Sequence, residues 1–149
     1  MNMRMNHRIA NPAGFQALLK LEEAAKKMGL DPVLYELIKI RASQMNGCAF
    51  CLDMHTSDLR GMGETEQRLN LIVVWREAPV FTDKERAALA LTEAVTLISE
   101  AGVPQAVYDE VRSQFDESEI VALIMAINAI NCWNRIAVAT GMFPGCFDH

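Results

Sequence analysis

The sequence lacks an excess of positive charge. It has 14 lysine and arginine residues against 19 aspartate and glutamate residues, with a formal net charge of -5 at pH 7 and a pI near 5.2. Proteins that follow a phosphate backbone or an anionic lipid surface carry basic patches, which this composition does not supply. We therefore expect neither nucleic acid nor a membrane among the partners.

The chain also lacks an apolar run of signal-peptide length near its start. The opening stretch MNMRMNHRIANPAG reaches turn-forming residues before any such run, which predicts a cytoplasmic protein. Residues 120–134 contain no charged side chain, but this run is shorter than the roughly 20 residues that span a bilayer. It also contains Asn128, Asn131 and Asn134. We predict a central or interface helix there, with the asparagines bonding to neighbouring helices or subunits.

Alternating runs of β-branched residues are missing as well, so no β-sheet is predicted. Helix signals recur instead, as capping residues, apolar positions three or four apart and terminal glycines. Asn11 and Pro12 begin the first predicted helix, and Asp31 and Pro32 begin the second, which ends at Gly47. The same signals predict five more helices, over about residues 48–59, 69–75 and 82–98, a short one from Pro104 and a last one from Asp116 to Gly141.

Length and composition set the expected architecture. A chain of 149 residues fits one compact domain that buries most of the surface of its unfolded form. We predict an all-α fold of six to seven helices, with residues 1–149 forming a single domain. Hydrophobic residues make up 51% of the sequence, which is high for a monomer. We therefore predict that part of this apolar surface lies in a homo-oligomer interface.

Cysteine is scarce and unevenly placed. Cys48 and Cys51 are three residues apart in NGCAFCLDMH, whereas Cys132 and Cys146 stand alone. In a reducing compartment a close pair is typical of a catalytic or metal-binding site rather than of a disulfide framework. We interpret Cys132 as a buried packing residue and Cys146 as an incidental thiol.

The close cysteine pair shares a helix face with a histidine. Cys48, Cys51 and His55 occupy positions i, i+3 and i+7, so a helix beginning near Cys48 places them on one side. Unpaired amides and the helix dipole at a first turn favour a thiolate, and the ordinary thiol pKa of ~8.5 falls there. The imidazole accepts the thiol proton or pairs with the thiolate, and the second thiol is close enough to form a disulfide.

This arrangement indicates a redox cycle. With a peroxide substrate, one thiolate attacks the O–O bond, the resulting sulfenic acid reacts with the partner thiol, and an external reductant reopens the disulfide. The cycle needs no cofactor beyond the disulfide and no metal. Two alternatives remain. One is a zinc site built from the two thiolates, an imidazole and either a carboxylate or Cys132; the other is inert packing of both thiols.

Glu36 lies in the otherwise apolar run VLYELIKI, where an unpaired buried carboxylate is costly. If the helices on either side of Gly47 form a hairpin, Glu36 and His55 differ by roughly one turn along its axis. Side chains lean toward the N-terminus of their own helix, which widens the gap. We therefore predict a bridging water rather than a direct contact, with Glu36 raising the basicity of His55 and passing protons to the site.

The spacing Glu36, eleven residues, Cys48, two residues, Cys51, three residues, His55 resembles the alkylhydroperoxidase D-like (AhpD-like) branch of the carboxymuconolactone decarboxylase family. The similarity continues through ELIKIRASQMNGCAFCLDMHTSDLRGMGETEQRL and ERAALALTEAVTLI, and weakly through AINAINCWNRIAV, so it covers roughly residues 30–139. The resemblance implies an all-α domain with the CxxC pair at the start of a helix in a central hairpin. It also implies a dimer, trimer or hexamer that acts as a thiol peroxidase or disulfide reductase.

By position, the resemblance makes Cys51 the thiol that attacks peroxide and Cys48 the resolving thiol. Glu36 and His55 become the proton relay, and an unidentified thiol or disulfide protein becomes the reductant. Characterised members carry a second histidine just before the later cysteine, where this chain has Phe50. That departure bears on peroxidase efficiency. The decarboxylase branch generally lacks the CxxC pair, and a lactone-processing or decarboxylating enzyme is the alternative within the family.

The sequence also predicts whether two histidines and two tryptophans are exposed or buried. His7 and His149 lie near the ends of the sequence, and we expect both to be solvent exposed. Trp75 and Trp133 are interpreted as core aromatics, with the wall of an apolar pocket as the alternative.

Overall fold

Nine α-helices and one 3₁₀ helix form within residues 1–148, the part of the chain that the computed structural model describes, and no strand occurs there. The all-α prediction is confirmed. In chain order the helices are α1 (His7–Ala10), α2 (Pro12–Lys26), α3 (Pro32–Asn46), α4 (Ala49–Gly61), α5 (Glu66–Leu71), the 3₁₀ helix (Ile72–Glu77), α6 (Asp83–Thr96), α7 (Ile98–Ala101), α8 (Gln105–Gln114) and α9 (Glu117–Thr140).

Local signals place several helix ends where the sequence predicts them. The side chain of Asn11 accepts a hydrogen bond from a first-turn amide of α2, and Thr82 and Glu85 form a reciprocal capping box at α6. Gly47 ends α3 and Gly141 ends α9, with φ angles of 66° and 75°. Glycine adopts this left-handed conformation at little steric cost, which is why the helices end there.

Two four-residue helices, α1 and α7, are not predicted from the sequence. A single turn is too short to show the apolar period by which longer helices are recognised. The helix predicted over 69–75 is instead α5 followed by the 3₁₀ helix, with a break at Val74, whose φ of -121° and ψ of 29° are not helical.

Helix α3 lies at the centre of the fold. It packs against α4, α6 and α9, while α2 packs against α9. Leu37, Ile38 and Ile40 of α3 are completely buried, as expected for a helix that packs against neighbours on several sides. Gly47 turns the chain from α3 into α4, so the hairpin that carries the CxxC pair is anchored in the core.

Helix α9 is the one described helix that is long and apolar enough to cross a membrane by length and composition. It has 24 residues, and 56% of its most apolar 18-residue stretch is buried inside the protein. It packs against α2, α3 and α6. Asn131 Nδ2 donates to Thr96 Oγ1 at 3.1 Å, and Asn134 Nδ2 donates to Ser43 Oγ at 3.0 Å. These contacts confirm the prediction of a central helix whose asparagines bond to neighbouring helices, although Asn128 is exposed.

Glu93 ties α6 to α3 and to the 3₁₀ helix. Its carboxylate accepts hydrogen bonds from Trp75 Nε1 and Arg41 Nε, both at 2.8 Å, and from the guanidinium of Arg76. Burial raises the pKa of Glu93, but the donors from Trp75, Arg76 and Arg41 lower it further. The net pKa therefore lies below the ordinary value of 4.5.

We expect Glu93 to contribute to stability at neutral pH and to lose that contribution in acid. Because its pKa is lower in the folded than in the unfolded chain, the stabilisation is complete above the unfolded pKa and disappears as pH falls through the folded value. Glu93→Gln should lower the free energy of unfolding by about 1 to 2 kcal/mol at neutral pH. It should also flatten the dependence of stability on pH below about 5.

Urea unfolding at several pH values measures this effect, with Glu23→Gln as the control. Glu23 of α2 forms an exposed pair with Lys27, the residue that follows this helix, so replacing Glu23 should change stability little. The same acid dependence in wild type and Glu93→Gln would contradict the assignment.

Candidate active site

Cys48 and Cys51 meet at the start of α4. Cys48 is the N-cap residue of that helix, and its Sγ accepts a hydrogen bond from the amide of Cys51 at 3.3 Å. The two sulfurs form a disulfide between Cα atoms 5.4 Å apart, and each residue is only 2% exposed. The pair thus occupies the first-turn position that the sequence predicts.

His55 lies one turn after Cys51 and contacts Glu36 directly. His55 Nδ1 is 2.7 Å from Glu36 Oε2, and the two residues are 6% and 7% exposed. The predicted bridging water is therefore wrong. That prediction rested on the offset of Glu36 and His55 along the hairpin axis, which is one turn, or roughly 5.4 Å. Two long side chains can close an offset of this size if their rotamers point toward each other.

The contact has a chemical consequence for His55. A carboxylate at Nδ1 favours the tautomer that carries its proton there, which leaves Nε2 free to accept another proton. The carboxylate of Glu36 also stabilises the imidazolium that then forms. The pair is arranged to take up and release a proton at Nε2.

A cavity of about 300 Å³ lies beside this pair. Cys51, His55 and Glu36 line it, whereas Cys48 does not. Most of the wall is apolar, formed by Phe15, Leu19, Phe50, Met54, Trp133 and Met142. Trp133 therefore walls a pocket, contrary to the preferred prediction of a core aromatic, while Trp75 is buried in the core as predicted. A molecule in the cavity meets Cys51 before Cys48.

The cavity wall also contains a polar group that is not predicted from the sequence. Glu22 accepts hydrogen bonds from the Tyr35 hydroxyl at 2.8 Å and from Trp133 Nε1 at 3.2 Å, and it pairs with the ammonium of Lys39. All four residues line the cavity. Lys39 stands three residues after Glu36 in the same apolar run, so the burial argument that singled out Glu36 also applied to it.

Burial and pairing act in opposite directions on this group. Burial lowers the pKa of Lys39. Burial, together with the neighbouring Glu22 carboxylate, raises the pKa of Tyr35. Burial also raises the pKa of Glu22, but the Lys39 charge and the hydrogen bonds from Lys39 and Tyr35 lower it further, so it lies below the ordinary 4.5. Glu22 is therefore ionised at neutral pH.

We expect Glu22→Gln to destabilise the fold, because it leaves the Lys39 ammonium, whose side chain is 1% exposed, without its counter-charge. Removing one member of a buried ion pair costs about 3 to 5 kcal/mol. Replacing both members, as in Glu22→Leu with Lys39→Met, should recover the part of that loss that comes from the unpaired charge, although Tyr35 and Trp133 still lose their acceptor. Urea unfolding measures both variants, and a double variant as unstable as the single one would contradict the pairing.

Glu36, His55 and Asp58 also form a set that could hold a divalent cation. Their ligand atoms lie within 4.8 Å of one another, and Asp58 is exposed. A cation there would displace the hydrogen bond between His55 and Glu36. The zinc alternative drawn from the sequence uses different ligands, the Cys48 and Cys51 thiolates. In this structure those two sulfurs are joined to each other as a disulfide. Cys132 is free and half-buried rather than buried.

His7 is buried against the cavity, so the prediction that it is solvent exposed is wrong. It is 5% exposed, and its ring packs edge-on to Phe15 at a centroid distance of 5.6 Å. The backbone amide of Arg4 donates to the carbonyl of Thr140 at 2.9 Å, which fastens this segment to the end of α9. Position near a terminus says nothing about such docking. His149 lies outside the described residues.

Comparisons with known proteins agree with this architecture. The model of the carboxymuconolactone decarboxylase family matches residues 12–94. The uncharacterized protein YdfG of Bacillus subtilis is 46% identical over 141 residues, which cover 95% of this chain and 96% of YdfG. The alkyl hydroperoxide reductase AhpD of Solibacter usitatus is 38% identical over 66 residues, which cover 43% of this chain and 37% of that protein.

A solved structure shows the same fold. ATU0492 of Agrobacterium tumefaciens, a protein of unknown function and a candidate antioxidant defence protein of the AhpD type, superposes with a TM-score of 0.93. The two chains are 46% identical, and the match covers 96% of this chain and 99% of the other. The chain therefore belongs to the carboxymuconolactone decarboxylase family, in its AhpD-like branch.

Proposed function

We propose that this protein is a thiol-dependent peroxidase that reduces a hydroperoxide through a dithiol/disulfide cycle of Cys48 and Cys51. The observation that carries the proposal is the placement of Cys51. It faces an apolar cavity together with His55, while Cys48 lies behind it, outside the cavity and within disulfide distance. This asymmetry supports Cys51 as the attacking thiol and Cys48 as the resolving thiol.

The first half-reaction oxidises Cys51. His55 takes the thiol proton, and Glu36 stabilises the resulting imidazolium. The Cys51 thiolate attacks the terminal oxygen of the hydroperoxide, so an S–O bond forms as the O–O bond breaks. The departing alkoxide takes the proton from His55 and leaves as the alcohol, and Cys51 is now a sulfenic acid.

The second half-reaction closes the disulfide. The Cys48 thiolate attacks the sulfur of the Cys51 sulfenic acid, an S–S bond forms, and hydroxide leaves and is protonated to water. The 5.4 Å between the Cα atoms is within the range of a disulfide. A thiol or disulfide reductase protein then returns both cysteines to thiols. On α4, Phe50 stands where characterised family members have a second histidine, and it lies in the cavity wall. His55 is therefore the histidine of this helix that carries the proposed proton relay.

We place this activity in the cytoplasm, in a homo-oligomer. A close cysteine pair without a disulfide framework suits a reducing compartment. Apolar side chains that a second copy could cover remain exposed, among them Ile9 at 77%, Ile98 at 57% and Val121 at 57%. A measured mass in solution distinguishes a dimer, a trimer and a hexamer.

Steady-state consumption of cumene hydroperoxide, with dithiothreitol as reductant, tests the proposal. We expect a rate proportional to protein concentration and above that of the reagents alone. Folded, fully reduced protein without such a rate would rule the proposal out. A zinc-stabilised assembly module would instead hold stoichiometric metal and unfold on chelation. A decarboxylase or lactone-processing enzyme would keep its turnover without the cysteines.

A further inference from the structure

The N-terminal segment brings two polar side chains to the cavity that the proposed cycle does not use. His7 and Arg8, both on α1, line the same cavity as Cys51. Both ring nitrogens of His7 and Nε of Arg8 are buried and have no hydrogen-bond partner within residues 1–148. The Arg8 guanidinium lies 3.6 Å from the centre of the Phe147 ring. The His7 ring and the Arg8 guanidinium therefore contact aromatic rings, whereas these three nitrogens form no hydrogen bond.

An unpartnered imidazole in an apolar setting is unfavourable for the folded chain, since its desolvated nitrogens gain no hydrogen bond. His7 packs edge-on against Phe15 and Phe147, at 5.6 Å and 6.4 Å between ring centres. Burial, with the charge of Arg8, lowers the pKa of His7 below its ordinary 6.5. The ring is then neutral at pH 7 and offers one N–H donor and one nitrogen acceptor.

The charge of the cavity wall indicates what such a ring would bind. Cationic and acidic side chains are equal in number, with Arg8, Lys26 and Lys39 against Glu22, Glu36 and Asp58. Glu22 pairs with Lys39, and Glu36 bonds to His55. A wall that is balanced in charge and otherwise mainly apolar fits a small uncharged molecule. A hydroxyl or hydroperoxide group on that molecule complements a neutral imidazole, because each both donates and accepts a hydrogen bond.

We propose that His7 is a substrate-binding residue whose imidazole hydrogen-bonds the oxygen of a small uncharged organic hydroperoxide and of the product alcohol. The assignment of hydroperoxide as substrate rests on the proposed function, whereas binding of the alcohol does not require turnover. The apolar part of the molecule occupies the cavity among Phe15, Phe50 and Trp133. Arg8, which also lines the cavity, carries a second unpartnered N–H at Nε.

The test measures binding to the disulfide form, in which no turnover occurs. The probes are 2-phenyl-2-propanol, the alcohol from cumene hydroperoxide, and cumene, which has the same shape without the oxygen. His7→Phe should weaken binding of the alcohol about tenfold and leave cumene binding within about twofold. His7→Gln keeps an N–H donor and should hold the alcohol within about threefold of wild type. Unchanged alcohol binding in His7→Phe, or an equal loss for both probes, would overturn the proposal.

Thermal stability separates this role from a structural one. His7→Phe keeps an aromatic ring beside Phe15 and Phe147 but removes two unpartnered buried nitrogens. The ligand-free variant should therefore melt at the same or a higher temperature than wild type. A lower melting temperature in both His7→Phe and His7→Gln would show that the imidazole supports the fold, and would overturn the assignment.

Steady-state kinetics distinguish failure of this inference from failure of the proposed function. If wild type consumes cumene hydroperoxide, His7→Phe should lower kcat/KM for it about tenfold, and an unchanged value would overturn the role of His7 alone. If wild type shows no peroxidase activity but the two probes behave as expected, the proposed reaction fails while the alcohol-binding role of His7 stands.

Discussion

Cys51→Ser should abolish peroxide consumption, and Cys48→Ser should stop it after a single turnover when no small thiol is present. Of the four cysteines, only Cys51 lines the cavity, so loss of its sulfur removes the group that attacks the O–O bond. Replacing a nucleophile of this kind lowers turnover by more than about a thousandfold. In Cys48→Ser the first half-reaction remains, and the Cys51 sulfenic acid accumulates because the thiol that forms a disulfide with Cys51 has been removed.

A burst assay without added thiol separates the two variants, because dithiothreitol would reduce the Cys51 sulfenic acid directly and restore turnover in Cys48→Ser. Product alcohol should appear in about one equivalent per chain with Cys48→Ser, and in none with Cys51→Ser. Cys132→Ser is the matched control, since Cys132 is a free cysteine outside the cavity wall and its replacement should leave turnover unchanged. Continuous turnover in both Cys48→Ser and Cys51→Ser would contradict the cycle.

His55→Gln and Glu36→Gln should both slow the attack on peroxide, by different amounts. Loss of a positioned acid–base group costs about 10² to 10⁴ in rate, and we expect His55→Gln in that range. Glu36→Gln keeps the shape of the side chain but replaces the carboxylate that holds His55 Nδ1 at 2.7 Å. The imidazole then loses its fixed tautomer and its charge partner, and we expect a loss of about 10 to 100-fold.

The double variant shows whether the two residues act as one unit. If Glu36 works only through His55, then combining Glu36→Gln with His55→Gln should cost no more than His55→Gln alone. The readout is the second-order rate of Cys51 oxidation in the reduced protein. Asp53→Asn is the control and should keep the wild-type rate, because Asp53 lies on the same helix as His55, α4, but is exposed. Losses that multiply in the double variant would contradict the relay.

Helix ends and the CxxC turn could be predicted from the sequence because single residues determine them. Asn11, Gly47 and Gly141 act through local hydrogen bonds or through φ angles that suit glycine. Cys48 and Cys51 sit close together because one helical turn brings them together. None of these features depends on how distant parts of the chain pack.

The remainder of the site depends on tertiary packing. Glu22 on α2, Trp133 on α9 and His7 on α1 reach the cavity from helices far apart in the sequence, and no local period links them. The direct bond between Glu36 and His55 was missed for a related reason. Helix rise predicts the offset between two positions, but side-chain rotamers decide whether the gap closes.

Stoichiometric oxidation of the reduced protein tests the proposed Cys48 and Cys51 cycle. With one equivalent of cumene hydroperoxide, we expect one equivalent of alcohol, loss of two thiols per chain, and a peptide map in which Cys48 is joined to Cys51 while Cys132 and Cys146 stay free. Peroxide left unconsumed, or oxidation at other residues with the Cys48 and Cys51 thiols intact, would contradict it.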